Sequence, residues 1–188
     1  MSQPIGRRRF GLGTLTAALT PLTCLSLAGC GFQPVYMPTA SGKPGPAQRE
    51  LAAVYVGIIP DRPGQLLRQA LQERFSNDSG PSAAYDLSVT FSISGEGVAI
   101  LPNALATRLR LSGTATYVLT SRDPKRTRLT SGSARAIDGV NIFDSQYFAA
   151  DQEVEARQRY IAEECATQIT NQLATWFRSR ANRMATAE

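Results

Sequence analysis

The sequence contains no histidine. That absence removes His-based acid/base catalysis, every Ser–His or Cys–His nucleophile pair and the commonest metal ligand. Lysine is almost missing too. Lys43 and Lys125 are the only two, and both lie in turn-rich segments. No Gly-rich phosphate loop, CxxC pair or HExxH run occurs, and there are no internal repeats. Carboxylate-only or Ser–Lys chemistry is all that remains, so no enzyme, no metal and no catalytic residue is expected. Cysteine is equally scarce, with Cys24, Cys30 and Cys165 along 188 residues.

Residues 1–29 read as a targeting segment. Arg7, Arg8 and Arg9 form a positive start, and from Phe10 to Ala28 no residue is charged. The apolar stretch is carried by leucines and closes on the small residues Ala28 and Gly29, as a secretory leader does. A membrane-spanning helix is the competing reading. It needs about 20 strongly apolar residues, whereas threonines, glycines and Pro21 dilute this segment. Leu27-Ala28-Gly29-Cys30 resembles the bacterial lipobox, which is cut before its cysteine. That resemblance implies that Cys30 becomes the first residue of the mature chain. It would then carry an S-diacylglycerol and an N-acyl chain, at about 0.8 kcal/mol per buried CH₂. Gly6 to Leu12 resembles a twin-arginine export motif, and general secretion remains open beside it. Gly31 stands where an aspartate would imply the inner membrane, so the outer membrane is implied, with the protein body in the periplasm.

Removing the leader changes the charge and the redox reading. Three of the 20 basic residues leave and none of the 15 acidic ones does, so the formal +5 falls to +2. No clustered basic face is demanded, and nucleic acid is not an expected partner. With Cys24 discarded and Cys30 acylated, Cys165 has no intramolecular partner. It falls on the apolar stripe of a predicted helix, where a packed thiol is expected.

Residues 30–49 hold Pro34, Pro38, Pro44 and Pro46 with Gly42 and Gly45, and read as a lipidated tether. Phe32, Val35, Tyr36 and Met37 are apolar enough to pack on a partner or on the domain. The domain is expected over 50–183, with 184–188 as a tail. Leu51 to Ile59 is an apolar run stopped by Pro60, suited to a strand buried on both faces or a central one. Asp61 offers a helix cap, and Gln65 to Phe75 places Leu66, Leu67, Ala70, Leu71 and Phe75 on one helical face. Tyr85 to Ser94 alternates without a fault, followed by a bend at Gly95-Glu96-Gly97 and a turn at Pro102-Asn103. Thr107 to Leu119 alternates again, with Arg108 and Arg110 on the polar face. Arg122 to Arg126 forms a charged hairpin tip, and Leu129 to Ile137 a third strand resembling an edge. From Ala149 to Arg183 the period becomes helical, with Val154, Ile161, Cys165, Ile169, Leu173 and Trp176 on one stripe. Glu153–Arg157 and Glu155–Arg159 are spaced for i,i+4 pairs. The order β-α-β-β-β-α predicts an α+β two-layer sandwich. Two helices would cover one face of a roughly four-stranded mixed or antiparallel sheet.

Several segments together resemble a known family. Cys30-Gly31-Phe32-Gln33-Pro34-Val35-Tyr36 is similar to the Cys-Gly-Phe-x-Pro-Leu-Tyr opening of the LPS-assembly lipoproteins (LptE, also called RlpB), especially their alphaproteobacterial branch. The likeness continues through Ala106-Thr107-Arg108 into Ala115 to Leu119, then Ser131 to Arg135. It also takes in Asn141 to Ala149, before the long helix. The family implies a plug seated in a large outer-membrane β-barrel, LptD. There the lipoprotein helps the barrel assemble and binds lipopolysaccharide on its way to the cell surface.

The residue chemistry suggests where anions would be met. Lipid A and inner-core sugars carry phosphates and carboxylates, which arginine forks suit. Arg108 and Arg110 share a strand face, and Lys125, Arg126 and Arg128 cluster at the next hairpin. An ordinary solvated face and turn would look the same. A Ser/Thr/Gly-rich face suits a polar barrel lumen, and equally suits water. A pilotin-like or lipid-transporter auxiliary lipoprotein of the periplasm is the alternative function.

Overall fold

Uninterrupted period-two alternation from Tyr85 onward is what builds the long hairpin at the centre of the molecule. In the computed structural model the described residues are Gly42, 45–76, 83–100, 106–141 and 147–186. The leader, Cys30, the tether up to Pro44 other than Gly42, the Pro102-Asn103 turn and Ile142 to Gln146 lie outside them. The elements run α1 (Pro46–Ala52), β1 (Val54–Val56), α2 (Asp61–Phe75), β2 (Tyr85–Ile100), β3 (Ala106–Ser121), β4 (Arg128–Asn141) and α3 (Tyr147–Thr186).

The sheet has the order β1-β2-β3-β4, with β1 parallel to β2 and the other pairs antiparallel. Register pairs Tyr85 with Ser121 and Ile93 with Gly113 across the hairpin, then Ala115 with Ala134 on the far side. One face carries Leu87, Val89, Phe91, Leu111, Ala115, Tyr117, Leu119, Ala134 and Ala136, all buried beneath the helices. The other carries Ser88, Thr90, Ser92, Thr114, Thr116, Ser131 and Ser133, all exposed. This is the expected two-layer α+β sandwich.

Three local readings change. The run Leu51 to Ile59 is not one strand. Ala47 and Leu51, four residues apart, bury one side of α1, which starts with Pro46 at its first turn. Helix thus begins four residues before the expected domain boundary, and it is an element absent from the predicted order. β1 keeps only three residues and lies at the sheet edge, because its ladder to β2 ends as Gly57 N–H donates to Leu87 C=O. α2 starts at Asp61 itself, whose φ is +65°. Its carboxylate makes no capping hydrogen bond, and Pro60 holds the cap position. The glycines at 95 and 97 remain in strand, and the register slips just after Gly97.

α3 is 40 residues long, about 60 Å at 1.5 Å per residue. Ile161, Ala162, Cys165, Ala166, Ile169, Leu173 and Ala174 are fully buried on its inner side. Phe177 takes the inner position near the C-terminal end, set edge-on to Trp176 and tilted against Tyr85. Thr170, buried among these, donates to Ala166 C=O at 2.7 Å, so its hydroxyl is satisfied. Glu153 pairs with Arg157 as its spacing predicts, but Glu155 meets Arg62 of α2 instead of Arg159.

Candidate anion-binding face

Alternation along β3 leaves Arg108 and Arg110 on the open face, and register decides what surrounds them. Arg110 sits between Glu96 of β2 and Gly139 of β4, and Arg108 lies opposite Asn141. A methyl at Gly139 would stand 3.3–3.4 Å from the Arg108 guanidinium, so the bare backbone there lets that side chain lie low across β4. Val98 and Ile137, both about half exposed (46% and 53%), flank the pair. Together with Asp138 and Gly139 they line an open depression of about 370 Å³. The Asp138 carboxylate is engaged elsewhere, by Gly139 N–H at 2.7 Å and Arg157 at 3.3 Å. Among the described residues, Arg108 and Arg110 have no carboxylate partner. Arg135 stands further along the same face and reaches Ser112 Oγ at 3.4 Å.

The hairpin tip is built differently. Arg122 and Arg126 both bind Asp86, at 2.7 and 2.8 Å, and Arg122 also lies 4.8 Å over the Tyr55 ring. Ser121 Oγ accepts from Thr127 N–H and donates to Asp123, closing the turn. Arg128 donates to Ser131 Oγ at 2.6 Å, and Lys125 is exposed. These cations sit at the opposite end of β3 from Arg108 and Arg110, roughly 35–40 Å away at 3.4 Å per residue. The structure therefore brings the two strand arginines together with an apolar rim and separates them from the tip. Sequence reasoning missed Val98, Arg135 and Ile137. Alternation puts Arg135 and Ile137 on one face of β4, but only register shows which neighbours they meet.

No other constellation competes chemically. No group of metal-ligating side chains occurs among the described residues, and no described helix is long and apolar enough to cross a membrane. Burial pushes the Cys165 thiol up to about 11, so it stays protonated and packed at neutral pH. Burial also raises Tyr85, aided by its hydrogen bond to Glu50 at 2.7 Å, and raises Tyr117.

The domain thus carries helices on one sheet face and, on the other, a Ser/Thr field ending in arginines without an ion pair among the described residues and in exposed aliphatics. The chain belongs to the LptE lipopolysaccharide-assembly family, whose model matches residues 51–173. No curated protein matches it. Among solved structures it is similar to a candidate lipoprotein from Caulobacter crescentus CB15, at 23% identity and a TM-score of 0.58, covering 70% of this chain and 95% of that one. It is also similar to the rare lipoprotein B of Shewanella oneidensis, at 10% identity and a TM-score of 0.51, covering 70% and 98%. At these identities the likeness is one of fold.

Proposed function

We propose that this chain is an outer-membrane lipoprotein, acylated on Cys30, with its body facing the periplasm and the lumen of the lipopolysaccharide-translocating barrel. It plugs that barrel (LptD), helps it assemble and binds lipopolysaccharide in transit, without catalysing a reaction. Membership of a lipopolysaccharide-assembly family supports the pathway. One observation carries the binding role: Arg108 and Arg110, which form no ion pair among the described residues, lie beside exposed Val98 and Ile137. Guanidinium forks suit lipid A phosphates, and aliphatic side chains at the rim suit the start of an acyl chain.

Two measurements test this. A tagged chain recovered from outer membranes should bring down a large β-barrel protein; recovery of a secretin, or of no barrel, overturns the plug assignment. Arg108→Ala with Arg110→Ala should weaken binding to purified lipopolysaccharide roughly ten-fold or more, the worth of one charge-assisted contact. Lys125→Ala and Arg128→Ala should change it little. Equal losses at both ends of the sheet would refute the assignment to the strand pair.

A further inference from the structure

Strand β4 is the long edge of the sheet, fourteen residues with no strand beyond it among the described residues. Such an edge presents a row of outward N–H and C=O groups to any other chain. Here α3 supplies partners at residues 133 and 135. Gln168 Oε1 accepts from Arg135 N–H at 3.2 Å, while its Nε2 donates to Arg135 C=O at 3.1 Å. One side-chain amide thus reproduces what a neighbouring strand would offer at that residue. One turn on, Gln172 Nε2 donates to Ser133 C=O at 3.0 Å, and Tyr117 OH donates to Gln172 Oε1 at 2.9 Å. Gly132 leaves room for this arrangement, since a methyl there would come within 2.7–2.9 Å of both Tyr117 and Gln172. Further along, the Asp138 carboxylate accepts from Gly139 N–H and is itself held by Arg157 of α3. Outward groups recur every second residue on an antiparallel edge. The residues served, 133, 135 and 139, follow that parity.

We propose that this amide row is an edge guard, and that the occupant it excludes is a second copy of the chain. An antiparallel β4–β4 pairing would satisfy the same groups on both copies at once, as an isologous contact does. On the open face of β4 Ser131, Ser133 and Ile137 carry no charge, so Arg128 and Arg135 are the cations that a paired copy would have to accommodate. The guard's glutamines do not overlap Arg108 or Arg110, so the inference stands apart from the lipopolysaccharide reading. It also means that a partner reaches this sheet through its open face and not by adding a strand at residues 133–135.

The test uses the full chain with Cys30→Ser, so that attached lipid does not enter the measured mass. Light scattering behind a sizing column should give a monomer at every concentration for this parent. Gln168→Ala with Gln172→Ala should give a mass that climbs toward a dimer as concentration rises, with the far-ultraviolet circular dichroism unchanged. Adding Ser133→Pro removes an outward N–H from the edge and should return the mass to that of a monomer. A folded double variant that stays monomeric, a parent that already dimerises, or an oligomer indifferent to Ser133→Pro would each overturn the proposal. Should the double variant unfold, Gln168→Ala alone is read by hydrogen exchange. The Arg135 amide, protected in the parent, should exchange several-fold faster, about what loss of one hydrogen bond predicts. Unchanged exchange there would equally sink the idea.

Discussion

At Gly113 α3 lies so close to the sheet that a side chain has no room, which offers a sharp test of how the layers fit. Gly113 lies mid-strand on β3, between Ile93 and Ala136, and its missing side chain faces the helix. A Cβ built there would stand 2.2 Å from Ile161 Cγ2 and 3.3–3.4 Å from the Phe91 ring. Ile161 is branched at Cβ and fully buried, and a β-branched residue in a helix keeps essentially one χ1. The methyl therefore cannot swing aside, and α3 must retreat by roughly 1 Å or more to restore a ~3.5 Å carbon contact. Overpacking of this kind costs about 1–3 kcal/mol. Relief of the strand-interior glycine returns about 0.5–1 kcal/mol. Gly113→Ala should thus destabilise by about 1–2 kcal/mol net, lowering Tm by roughly 2–8 °C. The companion is Ile161→Leu, which moves the branch from Cβ to Cγ and removes the clashing atom while keeping the volume. Thermal and urea unfolding of the four chains of the cycle should show the double variant costing less than the two singles together, with a coupling of about 1 kcal/mol. A Gly113→Ala chain as stable as the parent, or strictly additive losses, would refute the close approach.

Cys165 and Asp86 give two further predictions. The folded thiol titrates at about 11 against an ordinary value of 9.0. The folded state therefore holds this proton more tightly, and the stability so gained is present below pH 9 and lost as pH rises toward 11. Unfolding midpoints should fall across that window less steeply in Cys165→Ala, which keeps the tyrosine titrations, and iodoacetamide should label Cys165 only after denaturation. Equal slopes or rapid native labelling would contradict this. Asp86→Asn breaks the pairs to Arg122 and Arg126 together, and should cost about 1 kcal/mol in low salt and less in high salt. A loss that salt does not reduce would argue that shape, not charge, holds the tip.

The hairpin and α3 were legible in the sequence because each carries a clear period: alternation over Tyr85–Ser94 and again over Thr107–Leu119, and a three-to-four spacing from Ile161 to Leu173. α1 was not, since a seven-residue helix signals itself by a single i,i+4 pair, Ala47 and Leu51, within a Pro/Gly-rich stretch. β1 appeared too long because apolar residues entering a helix, a strand and a loop in succession look like one run. On the face, Arg108 and Arg110 could be paired by parity alone. Their neighbours Val98 and Ile137 come from two other strands, and only the register brings them alongside. Polar helix positions were the least readable. Gln168 and Gln172 have the composition of a wetted surface, yet they face the sheet edge. Glu155 has Arg159 at the right spacing but meets Arg62 across the helix layer.

The first and last helices of the domain rest on each other, and Glu50 of α1 is tied to Tyr85, whose ring leans on Phe177 of α3. The first helix of the domain, α1, therefore completes its seat only after α3 has been made. Sequence-distant contacts of this kind slow folding. They also set how force travels. A pull on the chain ahead of Gly45 loads α1 first, against the final turns of α3 and, through the Glu50–Tyr85 bond, against the start of β2. The seam between these helices would then yield first, while the four-stranded ladder and its arginine-bearing face keep their shape.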